Sequence, residues 1–85
     1  MTTQEGYIHA NARRILDGMD FAEVVAQRRK DHDLTQEIIA KLLASSQRHV
    51  SDIETGKADI RLSEAIHLCN ELGIDVFLVR RDDYI

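Results

Sequence analysis

Residues 34–57 read LTQEIIAKLLASSQRHVSDIETGK, and this stretch decides the fold. It holds two apolar-periodic segments separated by a short polar break, Ala44-Ser45-Ser46. Thr35 is a residue type that caps helix N-termini, so the first segment predicts a helix that begins just after it. The side chains of this helix expected to face inward are Ile38, Ile39, Leu42 and Leu43.

The second segment, residues 47–55, carries only two large apolar side chains, Val50 and Ile53. Ser46 precedes it as an N-cap, and Gly56 follows it as a C-terminal stop. Two short helices joined by a tight turn form a helix-turn-helix, whose second helix can enter the major groove of DNA.

The polar face of this second helix has the chemistry that base recognition requires. Arg and Gln pair bidentately with guanine and adenine edges, and Asp can accept a hydrogen bond from cytosine N4. On periodicity alone, an ordinary amphipathic helix with a solvated polar face is favoured over a DNA-reading helix. The polar residues of this face are Gln47, Arg48, Ser51 and Asp52.

Helices are also expected on both sides of this unit. Upstream, Asp20 is the expected N-cap of a helix that extends to about Asp31, and an additional helix is expected before it, ending at Gly18. The apolar positions that suggest this additional helix are Tyr7, Ile8, Ala12, Ile15 and Leu16. Downstream, a further helix ending at Gly73 is marked by the apolar positions Leu62, Ala65, Ile66, Cys69 and Leu72, and Cys69 is expected to be a small core residue.

After Gly73 the apolar period changes from helical to alternating, which predicts a β-strand. A lone strand leaves its N–H and C=O groups unpaired, so the economical partner is the same strand of a second copy. An isolated core of this size is also marginally stable, which favours a partner subunit. The residues expected to form this dimer contact are Ile74, Val76, Phe77, Leu78 and Val79.

Size and composition limit the remaining possibilities. The chain has 85 residues, which suits a single domain, and one cysteine, which excludes an intrachain disulfide. The net charge of −4 weakens a DNA-binding interpretation. However, residues 58–85 hold three basic and six acidic residues, so the acidity is concentrated there and not around the helix-turn-helix. With no secretion signal or apolar run long enough for a membrane span, we expect a cytoplasmic protein.

Two sequence motifs, LTQE at residues 34–37 and VSDIETGK at residues 50–57, together resemble the phage-repressor and Cro-like (XRE-type) helix-turn-helix family in sequence and spacing. The likeness extends without a gap from about Val24 to Gly73. By position, it implies base contacts from Gln47, Arg48 and Asp52. It implies backbone contacts from Gln36, Ser46, His49, Ser51 and Lys57. It also implies a largely buried structural ion pair between Arg29 and Glu54.

Three residues depart from the family pattern. Ala44 stands where the family usually has Gly in the turn, so a positive φ there would cost on the order of 1 kcal/mol. Ser45 replaces a usual apolar residue of the turn. Asp52 replaces a frequent Arg or Gln and would repel phosphates.

The tail from Gly73 to Val79 resembles the C-terminal strand of HipB-type antitoxins. That resemblance implies a homodimer that binds a palindromic DNA operator, represses its own toxin-antitoxin operon and binds a HipA-type kinase toxin. Alternatives are a phage or restriction-modification regulator, and a protein-interaction module that keeps the fold without binding DNA. The scattered histidines and the absence of a nucleophile or phosphate-loop motif predict no enzyme, no metal and no cofactor.

These observations predict an all-α fold: a compact bundle of four to five short helices containing a helix-turn-helix, with a C-terminal β-strand pairing across a dimer. Residues 1–19 form an N-terminal extension, partly disordered or one extra helix. Residues 20–73 form the DNA-binding domain, and residues 74–85 form the dimerisation strand and tail.

Overall fold

The computed structural model describes residues 10–83, which fold into four α-helices and a short 3-10 turn. These elements are α1 (Gly18–Asp31), α2 (Gln36–Leu42), α3 (Gln47–Glu54), α4 (Leu62–Glu71) and the 3-10 turn Arg81–Asp83. The predicted helical bundle is confirmed for this part of the chain. Every helix within it is too short or too polar to cross a membrane.

The two central helices begin where their caps predict. The Thr35 hydroxyl accepts a hydrogen bond from the backbone N–H of Ile38 at 3.1 Å, at the start of α2. The Ser46 hydroxyl accepts one from the N–H of His49 at 3.1 Å, at the start of α3. Each cap satisfies one of the amide donors that a helix N-terminus leaves free. The predicted boundaries of the helix-turn-helix are therefore confirmed.

The N-terminal part of the chain differs from expectation. Gly18 is the first residue of α1 and not the end of an earlier helix, and residues 12–17 are not helical. The cap of α1 is Asp17, whose carboxylate accepts from the N–H of Asp20 at 3.0 Å. Asp20 instead accepts from the N–H of Leu16 at 2.9 Å and ties down the preceding segment. The rest of the predicted additional helix lies outside the described residues.

One apolar cluster joins the four helices. Its buried members are Val25, Ile39, Ala40, Val50, Ile53, Leu68 and Leu72. The inward placement predicted for Ile38 and Leu42 is wrong, because these side chains are 41% and 45% exposed. They lie four residues apart on one stripe of α2, while the adjacent stripe at Ile39 and Leu43 faces the core.

Only some of the apolar side chains of α4 reach the core. Cys69 is buried as expected, and Leu68 and Leu72 are buried beside it. Leu62 and Ile66, in contrast, are 74% and 41% exposed. The first turns of α4 therefore extend past the core that covers its C-terminal half.

Positive φ angles mark the connections around the central helices. Ala44, in the turn between α2 and α3, has φ 53°, so the strain predicted for this departure from Gly is present. Gly56, just after α3, has φ 76°. A Cβ atom at Gly56 would meet the end of the Met19 side chain, which is 51% exposed and can move aside, so the backbone φ is what favours glycine here.

The segment after α4 contains no strand in the described chain, since residues 74–80 have no regular secondary structure. Ile74 packs half-buried against the core, and its N–H donates to the carbonyl of Cys69 at 2.8 Å. It therefore belongs to the monomer's core and not to the free tail. A strand needs a hydrogen-bonding neighbour, and a single copy of this segment has none to offer.

Candidate nucleic-acid interface

Helix α3 rests on two apolar side chains and presents polar ones on its other face. Val50 is fully buried and Ile53 is 3% exposed, which confirms them as the anchors of the helix. Gln47 and Arg48, in the first turn, are exposed, and the Arg48 side chain retains 88% of its accessible surface. A helix anchored in this way can enter a groove without disturbing the core.

An ion pair connects two of the three residues expected to face base edges. The Nε of Arg48 lies 3.8 Å from Oδ2 of Asp52, one helical turn later. The Asp52 side chain is 34% exposed, so the carboxylate lies lower on the helix surface than the guanidinium. The third residue, Gln47, is exposed at the first position of α3. The structure thus brings all three onto the outer part of this short helix.

A buried network connects α3 to α1 and α2. Arg29 donates from Nε and Nη2 to the two carboxylate oxygens of Glu54, at 2.7 and 2.9 Å. The two side chains are 13% and 5% exposed, so the largely buried ion pair expected from the resemblance is present. Arg29 also donates to the carbonyl of Leu34 at 2.7 Å. Its hydrogen bonds to Glu54 raise the pKa of Arg29, so it stays charged.

Gln36 joins the same network. Its amide nitrogen donates to Oε1 of Glu54 at 3.1 Å. A side-chain amide carries two N–H donors, so this bond leaves one donor for a second acceptor. The Glu54 carboxylate therefore fixes the orientation of Gln36 at the start of α2, where a phosphate contact is expected.

His49, expected to contact the DNA backbone, also contacts a side chain of another helix. Its Nε2 lies 2.9 and 3.1 Å from the two carboxylate oxygens of Glu64, on α4. Both side chains are about one-third exposed. The imidazole therefore bridges α3 and α4, and only its other nitrogen is left for DNA. Sequence analysis did not identify Glu64, because nothing local in the chain marks a partner 15 residues away.

Of the remaining backbone candidates, Ser46 and Lys57 flank the two ends of α3, and Ser51 lies within it. Ser46 caps the N-terminus, and Lys57 is exposed just past the C-terminus. Ser51 is half-buried, and its carbonyl accepts from the Thr55 hydroxyl at 3.0 Å. The N–H groups of Lys57 and Ala58 both donate to the carbonyl of Asp52, at 2.8 and 3.1 Å, which closes the helix end.

A second arginine of α1 has a structural role that sequence analysis missed. The Nε of Arg28 donates to the carbonyl of Leu72, at the end of α4, at 2.9 Å. This bond joins residues 44 positions apart. Adjacent arginines on α1 thus stabilise opposite parts of the bundle, Arg29 holding α3 and Arg28 holding α4.

Within the described residues, His, Cys, Asp and Glu side chains form no group of three or more suited to a metal ion. The open cleft between α3 and α4 is polar, and its walls hold both His49 and Glu64. The other residues that line this cleft are Asp59, Arg61, Ser63 and His67.

A family model described as helix-turn-helix matches residues 25–79, well over half of the chain. The chain belongs to the helix-turn-helix family. It falls in the phage-repressor and Cro-like (XRE-type) branch that its sequence resembles, and it is a DNA-binding regulator of that type. No protein of curated function matches the chain.

Solved helix-turn-helix structures share the fold. The restriction-modification controller protein C.AhdI from Aeromonas hydrophila is 24% identical, with TM-score 0.64, over 68% of this chain and 88% of its own. The HipB–O4 20mer complex contains a chain 18% identical, with TM-score 0.71, over 82% of this chain and 99% of that one. The HipA–HipB–O2–O3 complex contains a chain 18% identical, with TM-score 0.72 and the same coverage. At these identities the similarity establishes the fold alone.

Proposed function

We propose that this helix-turn-helix protein is a sequence-specific double-stranded DNA-binding repressor that acts as a homodimer. The observation that carries the proposal is the orientation of α3, with Val50 and Ile53 buried and Arg48 88% exposed. Arginine is the side chain that most often makes specific contacts with guanine in the major groove. A dimer bound over a promoter would exclude the polymerase, so repression is the expected outcome.

The contacts divide into those that read bases and those that position the protein. We assign base contacts to Gln47 and Arg48, and we place Asp52 beside them on the side of α3 that faces the base edges. We assign backbone contacts to Gln36, Ser46, His49, Ser51 and Lys57. The Glu54 hydrogen bond that orients Gln36 supports its assignment, while the Glu64 contact limits His49 to its second ring nitrogen.

The homodimer is supported by the apolar side chains of the tail. Val76, Phe77, Leu78 and Val79 are 54%, 64%, 99% and 38% exposed. Fully burying an apolar side chain of this size stabilises by about 1.5–3 kcal/mol, so covering them is strongly favourable. Pairing the same segment of two copies would bury these side chains and join the two segments by a hydrogen-bonded ladder.

Deleting residues 76–85 tests the dimer while keeping Ile74 in the core. We expect sedimentation velocity to show a shift from dimer to monomer at micromolar concentration. The matched control is Leu16→Ser, which removes an apolar side chain that is 72% exposed at the other end of the chain. A dimer that persists unchanged after the deletion would rule out the paired tail.

We further propose that the chain is the autoregulating antitoxin of a toxin-antitoxin operon and binds a HipA-type kinase toxin. The resemblance of the tail to HipB-type antitoxins supports this role. A chain of the HipA–HipB–O2–O3 complex also aligns with this chain over 99% of its own length, so the two share one fold. Regulation of a phage or of a restriction-modification system would use the same DNA contacts and differ only in the genes controlled.

A protein-interaction module that does not bind DNA is the second candidate. The ion pair that engages Arg48 with Asp52 and the net charge of −4 favour it. The affinity of such a module for its protein partner would not depend on phosphate contacts. The affinity of a DNA-binding protein for DNA, in contrast, falls steeply as the salt concentration rises.

Selection from a random duplex library, at low and high salt, separates the two functions. We expect the wild-type chain to recover a two-fold symmetric motif at low salt, with half-sites about 34 Å apart, and to lose it at high salt. The control is Gln47→Ala/Arg48→Ala, which alters two exposed side chains and leaves the α3 anchors intact. Recovery of no motif by the wild-type chain would favour the protein-interaction module.

A further inference from the structure

The ion pair on α3 carries an inference that rests on the proposed DNA-binding function. We propose that Asp52 acts as a positioning residue for Arg48 and commits Arg48 to guanine, so that Asp52 does not read a base of its own. The pair is formed within one helix, so it is in place before any DNA is bound.

The accessible surfaces of the two side chains give each a separate role. The Arg48 side chain is 88% exposed and projects from the helix, while the Asp52 side chain is 34% exposed. Projection lets Arg48 reach a base edge at the floor of a groove first. The Asp52 carboxylate, set closer to the helix, meets the guanidinium before it can meet cytosine N4.

The geometry of the Arg48 guanidinium leaves its Nη groups free to bind guanine. A guanidinium has five N–H donors in a planar fork. The carboxylate lies on its Nε side, at 3.8 Å, so both Nη groups are left for O6 and N7 of one guanine. Without Asp52, the long Arg48 side chain could swing to phosphates or other bases.

The backbone of Asp52 is held in place as well. Its carbonyl accepts from the N–H groups of both Lys57 and Ala58, which closes the C-terminal end of α3. The Asp52 carboxylate therefore starts from a fixed point on the helix. An exposed pair at this spacing is weak in water, and removal of water on binding strengthens it.

The arrangement predicts opposite effects on affinity and on specificity. Asp52 is a negative charge near phosphates, so Asp52→Asn should tighten binding to unrelated duplexes. The same substitution releases Arg48, so it should reduce the preference for guanine at the position that Arg48 reads. A bidentate contact is worth roughly 5- to 150-fold in discrimination, and we expect Asp52→Asn to lose a several-fold part of it.

The experiment uses the full chain and the motif that the wild-type protein selects. Fluorescence anisotropy compares that duplex with a duplex in which one base pair is replaced, for wild type, Arg48→Ala, Asp52→Asn and Arg48→Ala/Asp52→Asn. The base pair replaced is the one at which Arg48→Ala loses preference. Glu37→Gln, in the exposed first turn of α2, is the charge-matched control that leaves the α3 pair intact. Circular dichroism checks that every variant is folded.

We expect Asp52→Asn to lower the affinity ratio between the two duplexes several-fold, with no further loss in the Arg48→Ala background. Glu37→Gln should raise affinity for both duplexes and leave the ratio unchanged. An unchanged ratio in Asp52→Asn, or a loss at a different base pair, would overturn the positioning role and leave the DNA-binding function intact. Failure of the wild-type chain to select any motif would overturn the DNA-binding function itself, and this inference with it.

Discussion

Replacing Glu54 by Gln tests how strongly the buried network holds α3 in place. The substitution preserves the size of the side chain, so no cavity forms, but it removes the charge that faces Arg29. The carboxylate accepts three hydrogen bonds, two from Arg29 and one from Gln36. An amide at this position turns one acceptor into a donor that faces other donors.

The burial of the Arg29–Glu54 pair determines how much unfolding free energy the Glu54→Gln substitution removes. With the two side chains 13% and 5% exposed, the Arg29 charge would remain largely out of water without its partner. Removing one member of a buried pair costs about 3–5 kcal/mol. Small domains have unfolding free energies of about 5–15 kcal/mol, so this loss approaches the whole stability of the chain.

Urea denaturation followed by circular dichroism measures the effect. Small domains lose about 1–3 kcal/mol per molar urea, so the midpoint for Glu54→Gln should fall by at least about 1 M. Glu23→Gln is the control, because Glu23 pairs with Arg13 at 2.6 Å but the side chains are 62% and 46% exposed. Its midpoint should not shift measurably, because water screens exposed pairs. Equal shifts in the two variants would refute the claim that burial, and not distance, makes the Arg29–Glu54 pair important.

Three further predictions concern the two turns and the buried thiol. Ala44→Gly should raise the free energy of unfolding by about 1 kcal/mol, since glycine relieves the φ of 53° at this turn; a lower thermal midpoint would contradict that strain. Gly56→Ala should act in the opposite direction, because its φ of 76° lies in the left-handed region that disfavours residues with a Cβ. Burial raises the pKa of the Cys69 thiol. In the folded chain this thiol should therefore stay protonated at about pH 8.5, where free cysteine ionises. The thiolate is the form that reacts with alkylating reagents. Iodoacetamide should therefore label Cys69 quickly only in urea, and fast labelling of the folded chain at that pH would contradict its burial.

Much of the candidate interface could be predicted from the sequence because its determinants are local. Thr35 and Ser46 cap α2 and α3 as expected, and a cap needs only the three residues that follow it. The spacing of Val50 and Ile53 identified the buried side of α3, since the helix is too short to have a second apolar stripe. The Arg29–Glu54 pair followed from the family resemblance and not from local spacing.

The errors came where two apolar stripes compete for one core. Ile38 and Ile39 are equally apolar, and only packing of α2 against its neighbours buries Ile39 and leaves Ile38 exposed. In α4, the apolar pattern included Leu62 but not Leu68, and packing buries Leu68 and leaves Leu62 exposed. At the start of α1, Asp20 was the expected cap, but the hydrogen bond from the Asp20 amide to the Asp17 carboxylate shows that Asp17 is the cap.

The sequence by itself determined the positions and caps of the two central helices, the anchors of α3 and the family, because these depend on residues within one or two helical turns. The tertiary structure decided which stripe of each helix is covered and which side chains meet across the bundle. The bonds from His49 to Glu64 and from Arg28 to Leu72 join residues 15 and 44 positions apart. No local pattern encodes such contacts, since they form only when packing of the apolar core brings separate helices within hydrogen-bonding distance.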